Sequence, residues 1–573
     1  MAVAYSVYMP DAGSHATGLN TELYRGVGSS KGLRVSIIDA NELQPGSSVS
    51  ADICIVGAGA AGITLSSELD RSAQTIALIE SGGLVPDEDT QSLCDLEIVG
   101  YPVRENFMSR ARYFGGTCNL WAGRSMKLTE FDVIKREWVP NSGWPIAYTD
   151  LDRYYEKASH ILKLPSFEVF EGITLNRRIN LTEQSLLRND DLKPNISMWA
   201  KKPLRFGAVY RSKLKRSCNI SVYLNANVTE IKTNPAASSA QELCVSTLSG
   251  NKLSIRAKHF VLACGGMENA RLLLISRGVC SSGIGNQFDL VGRFFMDHPR
   301  AAFGRVKLYG GRRLPLLLGI PLRDGMVQLG IQLSESMQKR EKLLNSYLSL
   351  ERQWSEETAK AYQSFIHSMK IFLRKGYAGK RFRLSGAKLA EIPELIYLLA
   401  PRELMPHFLY RSFKAIRRIT GKEVNELTIV NYCEQVPNPQ SRVFLSQERD
   451  QLNMNRLVLD WKVGAEETRT LFRLQELVDL HLRKNQIGYL DRSAYSTHKL
   501  SYSDASHHIG TTRMGENARN GVVDADCKVH GIDNLFMAGS SVFPTCGYAN
   551  PTLTIVALAV RLAEHLKKIA DRP

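Results

Sequence analysis

The residues best suited to a chemical task lie near the N-terminus, in the run Gly57-Ala58-Gly59-Ala60-Ala61-Gly62. In a G-x-G-x-x-G pattern the first glycine permits a tight turn from strand to helix, the second lets the backbone approach a pyrophosphate, and the third lets helix and strand pack closely. The helix N-terminus then presents free N–H groups and a positive dipole end to the phosphates. Glu80 follows after about twenty residues, where a carboxylate accepts hydrogen bonds from a ribose diol and disfavours a 2′-phosphate. The pattern predicts a dinucleotide site and argues against NADP.

A second glycine-rich segment runs from Arg112 to Gly123, with the sequence RYFGGTCNLWAG. Its glycines leave the backbone bare and aromatic residues flank them, which suits close packing of backbone against a flat ring system. A structural turn around a buried Trp121 is the alternative interpretation. The glycine run alone does not separate FAD from NAD, so this loop and the rest of the chain have to decide between them.

The elements that must position the first motif are visible in the same region. Residues 51–56 form a short apolar run rich in β-branched residues, which predicts a buried parallel strand. Apolar residues then recur at helical spacing through Ile63, Leu65 and Leu69, and residues 75–79 predict a second strand. A βαβ unit within about thirty residues is the context that gives a glycine pattern its meaning.

Farther along, residues 222–232 and 243–262 predict short strands, and a helix is expected to begin near Glu268, whose charge suits a helix N-terminus. Residues 300–495 differ, because long helical patterns alternate with strands such as residues 427–432. From Asp533 the chain returns to a strand, a loop and a helix over 552–568. The order predicts an α/β fold, α+β overall, in which a Rossmann-type domain is discontinuous in sequence and interrupted by a substrate domain of antiparallel sheet and helices.

Composition narrows the class of protein. The chain has 573 residues, 44% of them hydrophobic and 23% charged, as in ordinary globular proteins with more than one domain. No apolar stretch reaches the roughly 18 residues of a membrane span, and no secretory signal is evident near Met1. The ten cysteines are scattered without metal-like spacing. We therefore expect a cytoplasmic protein with reduced thiols and no bound metal.

The net charge of +16 is concentrated in one region. Between Lys370 and Lys422 there are 13 Lys and Arg residues against three Glu, interleaved with apolar residues. This basic segment (residues 370–422) suits a membrane surface, an acidic protein or an anionic substrate, and the alternative is a set of solvated amphipathic helices. Nucleic acid is not an expected partner, because no recognition module accompanies the charge.

Seven ordered blocks of sequence resemble the glucose–methanol–choline (GMC) oxidoreductases, in particular the branch of pyranose oxidases and bacterial sugar dehydrogenases. The blocks span almost the whole chain: 57–62 with 80–83, 112–123 with 142–145, 262–271, 291–299, 507–515, 537–545 and 550–554. The resemblance implies an N-terminal arm at 1–45, an FAD-binding domain at 46–300 with some inserted segments, a substrate-binding domain at 301–495, and the C-terminal part of the FAD-binding domain at 496–573.

The same resemblance implies a reaction in which hydride passes from an alcohol carbon to the flavin N5. The histidine that heads the H-x-x-G-T pattern is His507 and its partner is Asn550; a slip of one residue would make the histidine His508. The chemistry agrees, because a neutral imidazole is the usual base for a hydroxyl proton. The Asn550 amide can donate a hydrogen bond to the developing alkoxide. We expect Asp297 and His298 to be structural.

Contacts with FAD are also implied by the resemblance, and Val228 is included for its backbone on the strand beside the adenine. Leu120 stands where some members attach FAD through a histidine, so non-covalent FAD is expected; Cys118 is the alternative tether. The full set of expected FAD-binding residues is Gly57, Ala58, Gly59, Ala60, Ala61, Gly62, Glu80, Ser81, Arg112, Gly115, Gly116, Thr117, Asn119, Leu120, Trp121, Ala122, Gly123, Val228, Ala263, Cys264, Gly265, Asn269, Gly539, Ser540, Asn550, Pro551 and Thr552.

The function expected from these features is oxidation of a CH–OH group, on a sugar or glycoside, to a keto product. Electrons would pass to O2, to a quinone or to a redox protein, and the basic segment favours a dehydrogenase over an oxidase. The alternatives are a non-redox lyase on the same fold and a non-catalytic docking protein. The substrate itself is not specified, since residues 300–495 supply the pocket walls.

Overall fold

The computed structural model describes residues 36–570 except 105, 171–179, 188, 311, 313, 353–425 and 494–499. The basic segment therefore lies outside the described residues. In the described part of the chain no helix is long and apolar enough to span a membrane.

The described strands form two large sheets and one small sheet. In chain order they are β1 (Ile37–Asp39), β2 (Ser48–Val56), β3 (Ile76–Ile79), β4 (Leu96–Ile98), β5 (Leu192–Ala200), β6 (Ile220–Leu224), β7 (Asn227–Thr233), β8 (Ala240–Ser246), β9 (Lys252–Leu262), β10 (Arg300–Ala301), β11 (Arg305–Leu308), β12 (Ile320–Leu322), β13 (Gly325–Leu333), β14 (Ser346–Arg352), β15 (Glu426–Cys433), β16 (Arg442–Arg449), β17 (Asn455–Asp460), β18 (Gly488–Asp491) and β19 (Leu535–Met537).

The α-helices of the same residues cover these sheets and connect them. They are α1 (Ala60–Glu68), α2 (Glu88–Ser92), α3 (Asn106–Ser109), α4 (Glu130–Val133), α5 (Tyr148–Asp152), α6 (Tyr155–Ile161), α7 (Leu181–Leu187), α8 (Phe206–Lys215), α9 (Glu268–Ile275), α10 (Glu335–Glu341), α11 (Ala465–Lys484) and α12 (Thr552–Ala570).

The first sheet has the order β1-β6-β3-β2-β9-β8-β7, with β19 also paired to β9. Its centre is parallel: Ile53 pairs with Ile76, and Val56 pairs with both Ile79 and Leu262. Ile53 and Cys54, which point to opposite faces of β2, are both fully buried, as expected for a strand covered on both faces. The predicted βαβ unit is confirmed, with β2, α1 and β3 in sequence.

One boundary differs from the sequence-based expectation. Strand β1 pairs in parallel with β6 in the first sheet, so this sheet begins before residue 46, inside the segment expected to be a loose arm. A strand of three residues in a region rich in Gly and Ser is too short to show a hydrophobic period.

The second sheet is antiparallel, with the order β12-β13-β14-β15-β11-β18 and with β5 on β13 and β10 on β15. Alternate residues of β13, from Val327 to Leu333, are at most 1% exposed and face a separate apolar core. Helix α11 packs on β14 and β15 through Leu471, Leu474 and Val478, which recur at helical spacing. The carboxyl ends of β2, β3 and β9 open into a cleft, and Tyr432 of β15 lies on its wall.

Candidate active site

The glycine run forms the turn between β2 and α1. Gly57 has φ +103°, and a Cβ added there would lie 2.6 Å from the carbonyl oxygen of Ala263. A Cβ on Gly62 would lie 1.9 Å from the Gly57 carbonyl oxygen, because helix and strand touch at this point. A Cβ on Gly59 would meet nothing within 4 Å, and this residue borders the cleft. The first and third glycines therefore serve packing, and the second leaves room for a ligand.

Glu80 directly follows β3 and holds the same turn in place. Its Oε2 accepts a hydrogen bond from the Ala58 N–H at 2.9 Å, and its Oε1 accepts one from the Gly82 N–H at 2.9 Å. The residue is 5% exposed and lies on the cleft wall. Its carboxylate thus orients the loop and still faces the place expected for a ribose.

The second glycine-rich loop lies directly against the first. The Gly115 N–H donates to the Ala58 carbonyl at 2.8 Å, and a Cβ on Gly116 would lie 3.1 Å from the Cα of Gly59. The Trp121 indole N–H donates to the Leu204 carbonyl at 2.8 Å, which fixes the end of the loop. The two glycine-rich segments are separated in sequence but adjacent in space. Together they form one continuous surface of backbone atoms without side chains.

The histidine of the H-x-x-G-T pattern is held by three groups. The backbone N–H of His507 donates to Asp297 Oδ2 at 3.0 Å. Its ring Nδ1 lies 2.9 Å from His298 Nδ1, and its ring Nε2 lies 3.1 Å from Asn550 Nδ2. The Nε2 of His298 in turn lies 3.0 Å from the carbonyl oxygen of Gly547.

These contacts fix which nitrogen carries each proton when both rings are neutral. The Gly547 carbonyl can only accept, so His298 Nε2 donates and His298 Nδ1 is left as an acceptor. His507 Nδ1 must then donate to it, and His507 Nε2 keeps a lone pair toward Asn550. A histidine with a free lone pair in a cleft is in the form a general base requires.

The surroundings favour neutral rings. Burial lowers the pKa of His507 well below its usual value, and the positive fields of His298, His508, Arg104 and Arg300 add to this effect. Burial also lowers the pKa of His298 to about 4. Burial and the neighbouring Asp504 raise the pKa of Asp297, against the stabilising effect of three backbone N–H groups.

Asp297, His298 and His507 also bring potential metal-ligand atoms within 4.8 Å of one another. The two histidine Nδ1 atoms already share a hydrogen bond, and both oxygens of Asp297 accept from backbone N–H groups. The arrangement fits a hydrogen-bonded base better than a metal centre.

His508 occupies a different environment. Its carbonyl accepts from the Ser540 hydroxyl at 2.6 Å, and its ring lies 5.8 Å from the ring of Phe295. Its buried Nε2 has no hydrogen-bond partner among the described residues, and burial lowers its pKa to about 3. Asn550 contacts His507 rather than His508.

Most of the expected site residues come together around the cleft, whose cavity volume of about 350 Å³ lies in the range of small-molecule and cofactor sites. Five do not line it, because they support the wall from behind: Ala58, Gly62, Gly115, Asn119 and Asn269. Asn269 is an example, since its side chain joins the Cys264 N–H to the Ala538 carbonyl and the Ser541 hydroxyl. All the others named as catalytic or FAD-binding lie on the wall.

Sequence reasoning missed several residues on the wall: Arg104, Arg110, Arg124, Arg300 and Tyr432. Arg124 directly follows the RYFGGTCNLWAG loop and Arg300 comes two residues after His298, so proximity to a motif was the available signal. Tyr432 carries no such signal, since it sits in an ordinary strand pattern.

The residues present fit FAD. Gly59 leaves a cradle that any Cβ would fill, and the N-termini of α1 and α12 both border the cleft. Within the part of the chain that the structure describes, the buried Nε of Arg112 and the buried Oδ1 of Asn550 have no hydrogen-bond partner. These are open polar groups along one elongated cleft that runs from the nucleotide fold to His507.

Comparison with known proteins gives the same picture. Residues 437–559 match the family model of the GMC oxidoreductase C-terminal region. The 6'''-hydroxyparomomycin C oxidase of Streptomyces lividus is 23% identical over 92% of this chain and 94% of its own. The fructose dehydrogenase large subunit of Gluconobacter japonicus is 26% identical over 54% of this chain and 47% of its own. A formate oxidase structure, 17% identical, shares the fold over 92% of this chain and 99% of its own, with a TM-score of 0.54.

The fold and the cleft define an FAD-dependent oxidoreductase that acts on CH–OH donors. Within that class, residues 437–559 match the GMC oxidoreductase model, and the chain is similar over most of its length to a carbohydrate oxidase.

Proposed function

We propose that this enzyme oxidises a hydroxyl-bearing carbon of a sugar or glycoside to a carbonyl, with His507 as the base. The observation that carries the proposal is the lone pair of His507 Nε2, held 3.1 Å from the Asn550 amide at the end of a cleft that fits FAD. Carbohydrate substrates are supported by the two relatives named above, a paromomycin-derivative oxidase and a fructose dehydrogenase.

In the reaction a substrate hydroxyl takes the place of the direct contact between Asn550 and His507. The hydroxyl donates its proton to His507 Nε2, and its oxygen accepts a hydrogen bond from Asn550 Nδ2. FAD, when bound, supplies the acceptor for the hydride that leaves the carbon. His298 keeps the His507 lone pair on the substrate side throughout, because it accepts from His507 Nδ1.

We also propose that FAD is held without a covalent bond. Leu120 offers no nucleophile, and burial raises the pKa of the Cys118 thiol to about 12, so the thiol is protonated and unreactive at neutral pH. Flavin should therefore appear in the supernatant after acid precipitation of the protein. Flavin that stays with the precipitate would contradict this proposal.

For the electron acceptor we favour a quinone or redox protein over O2, and a cytoplasmic enzyme that docks to a membrane surface or an acidic partner. The support is the charge of the basic segment, ten net positive charges from 13 Lys and Arg and three Glu. Neutralising these charges should weaken binding to anionic vesicles or slow reduction of the acceptor. Unchanged binding and unchanged acceptor kinetics would contradict the idea.

The experiment that tests the function is anaerobic titration of the flavin absorbance with a panel of sugars, glycosides and simple alcohols. Bleaching by sugars or glycosides is the expected result, and readmitting air then separates an oxidase from a dehydrogenase. A flavin-loaded protein that no carbohydrate bleaches would contradict the proposed substrate class.

A further inference from the structure

The charges on the cleft wall are unequal at its two ends. Among the described residues the wall contains five arginines, Arg104, Arg110, Arg112, Arg124 and Arg300, and two acids, Glu80 and Glu268. A surplus of positive charge is expected at the end of the cleft where the phosphates of FAD bind. Arginines at the other end of the cleft need a different explanation.

Arg110 and Arg112 belong to the nucleotide end and are paired with an acid. Both lie 3.2 Å from Glu268, and Arg112 also donates to the Asn227 amide oxygen on β7, beside the expected adenine strand. Arg104 lies 3.9 Å from Asp504. These three side chains therefore have carboxylate partners within the protein.

Arg124 lies on the opposite side, against the second sheet, and it is 8% exposed. Its Nε donates to the Ser197 hydroxyl at 3.1 Å on β5, and one Nη lies 3.5 Å from the Ser349 hydroxyl on β14. Its Cζ lies 5.2 Å from the ring centres of both Trp199 and Tyr347. Two hydroxyl groups and aromatic faces orient the guanidinium but do not neutralise it.

No carboxylate among the described residues lies within salt-bridge distance of Arg124. Burying a charge without a counter-ion carries a desolvation penalty that hydroxyl contacts and aromatic faces offset without supplying an opposite charge. A buried, oriented and unneutralised guanidinium on a cleft wall is therefore a site for an anion that comes from outside the protein.

Arg300 lies on the same cleft wall and pairs in the second sheet with Tyr432, whose ring centre is 5.6 Å from Arg124 Cζ. Its Nε donates to the Ser503 hydroxyl at 3.1 Å, and no described carboxylate pairs with it. Burial dominates the raised pKa of Tyr347, and the fields of Arg124 and Arg300 both oppose it, so both charges lie close to that ring. Arg300 also contributes to the field on His507. Both cations thus lie on the part of the cleft wall that the second sheet contributes.

We propose that the substrate is an anionic carbohydrate, whose carboxylate or phosphate ester binds Arg124 with Arg300 close by while its reacting hydroxyl meets His507. This inference rests on the proposed function and adds a substrate class to it. Nε and one Nη of Arg124 donate to serine hydroxyls, so the remaining N–H groups of the planar guanidinium can match the oxygens of a carboxylate or a phosphate, and a neutral sugar offers no charged partner.

The test compares neutral and anionic sugars that otherwise match, in the flavin-loaded enzyme. Anaerobic stopped-flow reduction with glucose, glucuronate, glucose 6-phosphate, galactose and galacturonate gives a dissociation constant and a reduction rate for each. We expect at least about tenfold tighter binding of one anionic member than of its neutral counterpart, the effect of one charge-assisted contact. If the uronates bind more tightly than their neutral counterparts, the anion is a carboxylate. If glucose 6-phosphate binds more tightly, the anion is a phosphate ester.

Arg124→Gln should then weaken binding of the anionic sugar by about the same factor and leave the neutral sugar unchanged. Arg216→Gln, on the exposed end of α8, is the matched control and should change neither. Should Arg124→Gln fail to fold, inorganic phosphate added to the unaltered enzyme should compete with the anionic sugar and not with the neutral one.

Two outcomes would overturn the inference and are distinct from each other. Neutral and anionic sugars that bind equally well, with no effect of Arg124→Gln or phosphate, would remove the anion site and leave the proposed function standing. A flavin that no member of either set reduces would contradict the proposed function itself, and the inference with it.

Discussion

His298 and His507 share a hydrogen bond between two Nδ1 atoms, so one ring must donate and the other must accept. The Gly547 carbonyl settles the direction. It can only accept a hydrogen bond, so the proton of neutral His298 must be on Nε2. The His507 lone pair then points toward Asn550 and the cleft. His298 is not on the cleft wall, yet it determines which nitrogen of His507 carries the proton and therefore whether the proposed base has its lone pair on the cleft side.

Replacing His298 tests that role with a matched pair of variants. His298→Leu removes the acceptor for His507 Nδ1, and His298→Asn keeps an amide oxygen close to the position of the imidazole Nδ1. We expect the leucine variant to bind FAD normally and to reduce it about 10- to 100-fold more slowly, the usual cost of losing an orienting partner. The asparagine variant should recover most of the rate. Equal rates in the two variants, measured by anaerobic stopped flow, would contradict the positioning role.

At the scale of elements, the site is assembled where helices begin. Helix α1 starts at the glycine run after β2, and α12 starts at Thr552, next to Asn550 and Pro551 on the cleft wall. The two helices pack on each other. Their positive N-terminal ends therefore border the same cleft, and their mutual contact fixes the distance between the glycine run and Asn550.

The three glycines should respond differently to alanine because their surroundings differ. Gly62→Ala places a Cβ 1.9 Å from a backbone oxygen, so we expect destabilisation of about 1–3 kcal/mol or more even without flavin. Gly59→Ala meets nothing within 4 Å, so the flavin-stripped protein should melt normally but bind FAD weakly. Melting temperatures of the stripped variants and their FAD content after reconstitution check this. A Gly59→Ala protein with full FAD affinity would show that the cradle is not where the pyrophosphate binds.

How much could be predicted from sequence depended on whether a signal was local. Strands β2 and β3, the glycine turn and Glu80 follow from periodicity and turn chemistry within one short segment, and the structure has them there. Strand β1 was missed because three residues carry no period. Strand β5 joins the second sheet although it precedes it by more than a hundred residues, and no local pattern reveals such pairing.

The same limit applied to the site. His507 and Asn550 could be selected from a family-like motif, but the contact between His507 and His298 joins residues far apart in sequence. Arg124 was missed for a similar reason. The residues that orient its guanidinium, Ser197, Trp199 and Tyr347, lie far away in sequence on strands of the second sheet. These side chains form one site because the packing of distant segments brings them together, and residue type alone does not predict that packing.

At the scale of the whole molecule, the cleft depends on two sheets keeping a fixed relation. A buried ion pair helps to join them: Arg136 lies just after α4, and Glu434 directly follows β15 of the second sheet. One Nη of Arg136 donates to Glu434 Oε2 at 2.7 Å, and both side chains are 0% exposed. Glu434 also accepts from the Asn345 N–H at 3.0 Å.

Removing one partner of this pair leaves a buried charge unpaired. Arg136→Met should therefore destabilise the protein by about 3–5 kcal/mol, and adding Glu434→Leu should restore part of the loss. Lys157→Met is the control, because its pair with Glu68 is exposed and contributes at most about 1 kcal/mol. The order of melting temperatures tests this, and an Arg136→Met protein that melts with the control would exclude a structural role for the pair.

We expect His507, and not His508, to accept the proton of the alcohol in the FAD-loaded cleft. The most direct measurement is the rate of anaerobic flavin reduction by a reducing substrate in His507→Ala and His508→Ala proteins of equal FAD content. We predict a loss of at least about 100-fold for His507→Ala, the low end for one acid–base group, and a much smaller loss for His508→Ala. Normal reduction in the His507 variant, or the larger loss in the His508 variant, would contradict the account.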